Sequence, residues 1–477
     1  VGTTLVTFYG KCKNLNCAWR AFTKISHHNV ITWTAMIGAM SQNSHPKEAL
    51  SLFYKMRAKG INPNNVTFVC ALDACMHLIE GQRIHSAIVC SGLEQDVIVG
   101  TNLIHMYTKC GCLQSGFHVF YTMDHKNVVT LNAMMKALNM SEEISKSLPL
   151  LYQSVRRDIK PDNTTFVCAL EACGKNAHLK DGHTIHTAII ENQSEQDLIV
   201  ANALIDMYTK FSSPNDARVV FRKMQCRDVI SWTSLFSSYM HTHNHVDEVL
   251  KLLHEMYAKN IKPDNVTFAC ALDACCKFAT LTDGQCIYTA VIDSGYEIDT
   301  VVGNTLVNLY GKCGCLHDAI HVFTKLKSRN VVTWTTMITT YALNGFPSKC
   351  VECFHHMHNE NVKPNEITFT SALNACSHSG YLNNAWYFFS GINQSQTILY
   401  TRNHYACMIN LLARAGHLNE AEYLINKAPF SNISVAWLSL LSACKIHGDE
   451  QRGFTVASQC FQADPQNTAP YIILSNM

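Results

Sequence analysis

The sequence predicts an all-α fold, a right-handed superhelical solenoid built from tandem helix–turn–helix repeats. Three observations carry that reading. First, one block recurs nearly letter for letter: NNVTFVCALDAC at 64–75, DNTTFVCALEAC at 162–173 and DNVTFACALDAC at 264–275, with a diverged copy, NEITFTSALNAC, at 365–376. Second, the spacing of about 100 residues is too long for one helical hairpin but divides into three subunits of about 31 to 36, the period of a helix–turn–helix repeat. Third, within a subunit the apolar residues fall at helical spacing. No isolated hairpin of this kind buries both of its apolar faces, so neighbours must stack into a superhelix of about two dozen helices.

Each subunit type then supports its own pair of helices. The standard type runs from Val30 to Asn64. Trp33, Met36, Ile37 and Met40 form one apolar face, and Ala49, Leu50, Leu52, Phe53 and Met56 form a second. Asn43-Ser44-His45 separates the two helices, Pro46 suits the first turn of the second, and Gly60 and Pro63 end it. Related copies begin at Val128, Val229 and Val331. A longer type begins at Asn65, Asn163, Asn265 and Glu366, and the copy from Asn65 is about three residues shorter than its relatives. A shorter type begins at Val97, Leu198 and Thr300, with a partial copy from Val1. Val1 falls inside a repeat and Met477 inside another, so the sequence is expected to be a piece of a longer chain.

Composition excludes several classes. Hydrophobic residues make up 47% and charged ones 16% of the chain, which fits buried helices and not disorder. No uninterrupted apolar run approaches the length of about 18 residues that a membrane span needs. The net charge of +2 argues against a purely electrostatic nucleic-acid binder, so any nucleic acid would have to be held largely through its bases. The twenty-two cysteines recur inside helical patterns, as at Cys75, Cys173, Cys275 and Cys376, and read as small apolar residues on packed faces in a reducing compartment. The Asn-x-Thr triplets at Asn65, Asn163 and Asn265 stand where helices begin and are expected to act as caps, not as glycosylation sites.

The alternation of standard, long and short repeats, with KCGCLHDA from Lys312 and VVTWTTMI from Val331, resembles the plant-type pentatricopeptide repeat (PPR) subclass over essentially the whole chain. HYACMINLLARAGHLNEAEYLI from His404 is similar to the last short repeat of that subclass. The segment from Val435, VAWLSLLSACKIHGDEQRGFTVASQCFQADPQN, is similar to its first extension motif, and APYIILSN to the opening of the second. The resemblance implies a tandem array over residues 1–433, a helical-hairpin extension motif over 434–467 and the start of another over 468–477. It further implies single-stranded RNA as partner and a role in C-to-U editing of organellar transcripts, with a deaminase domain or other editing factor as a second partner. Its implied location is the mitochondrion ahead of the chloroplast, with no membrane partner and no cofactor. Organellar splicing, stability or translation is the neighbouring alternative, and a protein-binding scaffold of the tetratricopeptide kind is the alternative from another class.

In such proteins the fifth residue of each repeat and its last residue read one base together. Guanine and uracil offer a ring N–H donor, which suits an Asp acceptor, whereas adenine and cytosine offer a bare ring nitrogen, which suits an Asn donor. The resemblance adds that Thr at the fifth position goes with purines and Asn with pyrimidines. Thr3/Asn29, Thr34/Asn64 and Thr101/Asn127 then imply adenine, and Asn132/Asp162 and Asn202/Asp228 imply uracil. Thr233/Asp264 implies guanine, Asn304/Asn330 a pyrimidine and Thr335/Asn365 adenine. The long repeats carry Val69, Val167 and Ala269 at the fifth position and read as spacers, giving A-A-n-A-U-n-U-G-n-Y-A from 5′ to 3′. Ala406 and Ile433 in the last short repeat give no assignment. The aliphatic second residues Ile31, Ile98, Val129, Ile199, Ile230, Val301 and Val332 are implied to wedge between successive bases, as aromatic platforms do elsewhere. A single Thr or Asn near a helix start would also serve as a cap.

Apparent catalytic signals resolve differently. A nucleobase deaminase needs His-x-Glu followed by Pro-Cys-x-x-Cys, so that His and two thiolates hold zinc. Here His358-Asn359-Glu360 is preceded, not followed, by Cys350 and Cys353, which align with the buried positions Ala49 and Leu52 and read as core. His355, His356 and His358 fall at a helix end, where imidazoles cap carbonyls. Cys110/Cys112 and Cys313/Cys315 fall in turns with too few converging ligands for a metal. This segment is therefore expected to have no enzymatic activity and no metal site.

Overall fold

The computed structural model describes residues 2–176, 178–240, 246–394, 398–430, 434–464 and 467–477. Among them are twenty-nine α-helices and two single-turn 3-10 segments, in place of the two dozen helices expected. The chain forms two compact units, Val1–Ser238 and Tyr239–Met477. In the first unit, the first helices from 2–11 to 163–176 pack against their own second helix and against the first helix of the repeat that follows, as 2–11 does with 15–23 and 30–42. The same pattern runs through the second unit, where 300–312, 331–343, 366–379 and 402–414 pack in series. First helices thus form a continuous layer inside each unit, and second helices cover it from one side.

The helices form where the sequence supplies start and stop signals. Asn64 has extended backbone and its side chain accepts from Thr67 N at 2.9 Å, which satisfies an otherwise orphaned N–H in the first turn of 65–73. Asp96, Asp197 and Asp299 begin the short-repeat helices by accepting from two backbone N–H groups each. Pro46, Pro214 and Pro347 occupy first turns, where no N–H is required of them. Gly111 and Gly314 turn the chain between paired helices at φ +75, a left-handed backbone that a side chain would strain.

Burial follows the apolar pattern closely. Trp33, Met36, Ile37, Met40, Ala49, Leu50, Leu52, Phe53 and Met56 are all buried, as their spacing requires. Junctions between repeats use a recurring aromatic contact: Phe22 meets Trp33, Phe221 meets Trp232 and Phe323 meets Trp334 edge-on, with centroids 5.1, 4.6 and 5.0 Å apart. Arg227 and Arg329 lie over Phe221 and Phe323, each 4.9 Å from the ring centroid. Long and short repeats approach through glycine. A Cβ on Gly182 would stand 2.8 Å from Met207 Sδ, and one on Gly81 would collide with Met106.

Cysteines behave as core residues. Cys75, Cys173, Cys275 and Cys376 are buried free thiols, and all twenty-two cysteines are unbridged. Cys350 and Cys353 are likewise buried, and burial pushes the Cys353 thiol up to about 12, far from a metal-binding thiolate. His356 and His358 stand in the last turn of Pro347–Asn359, as expected. Among the described residues no group of three or more His, Cys, Asp or Glu is placed to hold a metal ion, and no helix is long and apolar enough to cross a membrane.

One capping assignment changes. Asn65, Asn163 and Asn265 are the first helical residues, and the residue before each is the one positioned to cap. Asn65 and Asn265 instead donate from Nδ2 to Asp96 and Asp299, the caps one repeat further on, at 3.5 and 3.1 Å. A helix start is therefore shifted by one residue from where the triplet suggests, and the displaced Asn links neighbouring repeats.

Candidate nucleic-acid interface

The last residue of each standard or short repeat is also the N-cap of the next helix. Asn29, Asn64, Asn127, Asp162, Asp228, Asp264, Asn330 and Asn365 each accept from the backbone N–H three residues on, at 2.8 to 3.0 Å. Capping and exposure coexist, because every one of these residues keeps part of its surface open to solvent. The fifth residues lie one helical turn into the preceding first helix. Thr3, Thr34, Thr101, Asn132, Asn202, Thr233 and Asn304 are half-buried, while Thr335 is only 7% exposed.

The structure brings several of the sequence-paired residues together. Asn132 Nδ2 donates to Asp162 Oδ1 at 2.9 Å, and Asn202 Nδ2 reaches Asp228 Oδ1 at 3.4 Å. At Thr34, Thr101 and Thr335 the link passes through a third side chain. Thr34 Oγ1 lies 2.6 Å from Thr67 Oγ1, which donates to Asn64 Oδ1 at 2.7 Å. Thr335, Thr368 and Asn365 repeat this arrangement at 2.7 and 2.8 Å. Thr101, Thr130 and Asn127 do so more loosely, at 3.1 and 2.9 Å.

That third side chain went unrecognised in the sequence. It is Thr67, Thr130 or Thr368, with Thr165 placed likewise beside Asn132, while Thr32, Ser231, Thr267 and Thr333 hold the same place after the other caps; all are buried hydroxyls three residues after the cap. The signal was present as Asn/Asp-x-x-Thr/Ser after each of these eight caps, but it reads as an ordinary capping pattern until the preceding repeat is packed against it. Thr370, the fifth residue of the fourth long repeat, also departs from the apolar spacer type, and its hydroxyl donates to Glu366 O at 3.0 Å. Ile433 lies outside the described residues.

Electrostatics favour the charged form of the two best-connected acids. Burial alone would raise the carboxyls of Asp162 and Asp228. Bonds from Thr165 and Asn132 to the first, and from Ser231 and Asn202 to the second, outweigh it and hold both below the usual carboxylate value. Beside the pairs stand exposed aliphatic side chains. Ile31, Ile98, Val129, Ile199, Ile230, Val301 and Val332 all face solvent, from 50% exposed at Val301 to 68% at Ile199. Val66, Val266 and Ile367 in the long repeats are exposed in the same way. Isolated aliphatics this exposed have no role in the core. In the second unit a pocket of about 360 Å³ opens beside Asn304, Thr335, Asn365, Val332 and Ile367. Lysines end many first helices, among them Lys11, Lys109, Lys175, Lys210, Lys277 and Lys312, where they complement the helix dipole.

Comparison with known proteins agrees with this repeat geometry. The PPR repeat family model matches residues 28–77, 227–277 and 329–378, and the PPR repeat model matches 199–229, 304–331 and 404–432. A mitochondrial pentatricopeptide repeat-containing protein of Arabidopsis thaliana is 34% identical over 485 residues, spanning 100% of this chain and 74% of the relative. Another from the same plant is 32% identical over 481 residues, covering 100% of this chain and 70% of its own length. A chloroplastic one is 30% identical over 492 residues, covering 99% and 55%. Among solved structures, the pentatricopeptide repeat protein PPR10 in complex with an 18-nt psaJ RNA element aligns with a TM-score of 0.72, covering 99% of this chain and 71% of that one at 19% identity. That likeness supports the helical-repeat solenoid fold. With relatives at this identity aligned along its full length, and repeat matches in phase with its paired helices, the chain belongs to the pentatricopeptide repeat family.

Proposed function

We propose that this chain binds single-stranded RNA in a sequence-specific way, one base per repeat, as the recognition module of an organellar C-to-U editing factor. The observation that carries the reading is the recurring polar pair, a Thr or Asn linked by hydrogen bonds to a capping Asn or Asp, set beside an exposed aliphatic residue. A base entering between successive aliphatics would have both faces covered by apolar contact and its edge presented to the pair. The RNA named with PPR10 gives the class of ligand for a chain of this fold. The sequence resemblance of 434–467 to an extension motif, on helices Ser434–His447 and Glu450–Ala463 that pack as a hairpin, supports the editing role. Relatives named mitochondrial and chloroplastic support an organellar location, with the mitochondrion preferred.

The test is binding to A-A-n-A-U-n-U-G-n-Y-A and to a partner RNA with guanine in place of the second adenine, assigned to Thr34/Asn64. Asn64→Asp replaces a donor by an acceptor and is expected to move preference toward guanine by about tenfold, within the range of one good base contact. Equal affinity for every RNA, in wild type and variant alike, would transfer the layer's open face to another kind of partner.

A further inference from the structure

We infer that the buried hydroxyl three residues after a reading cap, at Thr67, Thr165 and Thr368, is a positioning residue that fixes which reading side chain donates and which accepts. This rests on the base-reading proposal and supplies its stereochemical cause. The argument is a count of protons. Thr67 Oγ1 has one proton and two lone pairs. It has three neighbours: Asn64 Oδ1 at 2.7 Å, Asn64 backbone N at 3.3 Å and Thr34 Oγ1 at 2.6 Å. The backbone N–H can only donate, so it occupies one lone pair. Asn64 Oδ1 can only accept, so it takes the proton of Thr67. A single lone pair remains, and Thr34 must donate to it.

Both reading residues are thereby left with one polarity each. Thr34 has spent its proton inward and offers only lone pairs outward. Asn64 Oδ1 is filled by Thr67 N–H at 2.9 Å and by the Thr67 hydroxyl, so its amide cannot flip and only Nδ2–H faces out. Adenine carries an amino donor beside a bare ring nitrogen and matches this acceptor–donor pair. Guanine carries a carbonyl acceptor beside a ring N–H and presents the reverse order. Thr335, Thr368 and Asn365 have the same three contacts at 2.7, 2.8 and 3.2 Å, with Thr368 N donating to Asn365 Oδ1 at 2.9 Å. Thr101 also bonds Val97 O at 2.7 Å, so its proton is spent within the protein by either route.

The Asn/Asp pair gives a different set by the same count. Thr165 Oγ1 has its one proton between two acceptors, Asn132 Oδ1 at 2.7 Å and Asp162 Oδ1 at 2.9 Å, and by either route Asn132 Nδ2 donates one hydrogen to Asp162 Oδ1. Asn132 is left with one N–H and Asp162 with Oδ2, a donor and an acceptor that match the carbonyl and ring N–H of uracil. At Asn202 and Asn304 the link is incomplete, for Oδ1 of each is buried without a partner. The polarity rule is therefore strongest at Thr34/Asn64, Asn132/Asp162 and Thr335/Asn365.

The experiment uses the full chain with Thr67→Val, which keeps the branched shape and removes the hydroxyl, and Thr67→Ser, which restores it. Affinities are measured for the adenine RNA and for guanine substituted singly at the Thr34/Asn64 and the Thr335/Asn365 nucleotides, with thermal melting of each protein alongside. The expected result is that Thr67→Val lowers adenine-over-guanine preference at the first nucleotide from about tenfold to about threefold or less. Preference at the second nucleotide stays intact, and Thr67→Ser behaves as wild type. An unchanged preference in Thr67→Val, or an equal loss at both nucleotides, overturns the positioning role while leaving base reading in place. Absence of preference at both nucleotides in the wild type overturns base reading itself, and the inference with it.

Discussion

Thr67 and Asn64 show how much one hydroxyl can organise. Their side chains close a helix start, and the same bonds orient the amide that faces solvent. The chemistry at each junction turns on an atom or two, so Asn64→Asp and Thr67→Val are expected to change base preference more than overall affinity. Asp162 adds a prediction of its own. Bonds from Thr165 and Asn132 hold its carboxyl below the ordinary value despite burial, so the acceptor stays ionised through mildly acid conditions. Titrating binding from pH 7.5 to 5.5 should leave uracil-over-cytosine preference at the Asn132/Asp162 nucleotide unchanged, and Asp162→Asn should reverse it. A preference that titrates away in this range would place the acceptor elsewhere.

At the scale of helices, the close approach of long to short repeats depends on absent side chains. Gly182→Val adds atoms where a Cβ already stands 2.8 Å from Met207 Sδ, and overpacking of this kind costs about 1–3 kcal/mol. The expected outcome is a lower melting temperature. Asp197→Ala removes the acceptor of two N–H groups at the start of Leu198–Lys210 and should cost about 1 kcal/mol, with Asp197→Asn largely restoring it. A melting curve superimposable on wild type would show those N–H groups equally well served by water. Both substitutions are distinct from the reading pairs, so their effect on base preference should be small.

Across the whole chain, three histidines tie stability to pH. His85 and His186 meet Tyr107 and Tyr208 at 2.7 and 2.8 Å, and His404 accepts from Thr401 N while bonding Glu366 O. Burial lowers all three below the ordinary imidazole value, so the folded chain favours the neutral ring. Below about pH 6.5 the unfolded chain takes up protons that the folded one resists, so stability present at neutral pH is lost as pH falls. Melting temperature should therefore drop between pH 7.5 and 5, and His85→Gln with His186→Gln should flatten that drop. The net charge of +2 bears on binding at the same scale. Each phosphate neutralised on a single strand contributes about −0.7 to the log–log salt slope, so a shallow slope is expected where bases carry the affinity.

The period of the repeats, their helical pairs and the apolar faces of Trp33 to Met56 were legible in the sequence, because periodic burial dictates them residue by residue. The candidate reading positions Thr34, Asn64 and their equivalents were legible through family resemblance, and their exposed neighbours Ile31 and Ile98 with them. The role of Thr67 was not, nor the one-residue shift that makes Asn64 and not Asn65 the cap. The first depends on a contact between residues about 30 apart, made only when one first helix packs on the next, whereas the cap is a local bond from Thr67 N to Asn64 one residue ahead of the Asn-x-Thr triplet. Local spacing determines which faces are apolar. Which hydroxyl spends its proton on which neighbour is decided only once the repeats have stacked.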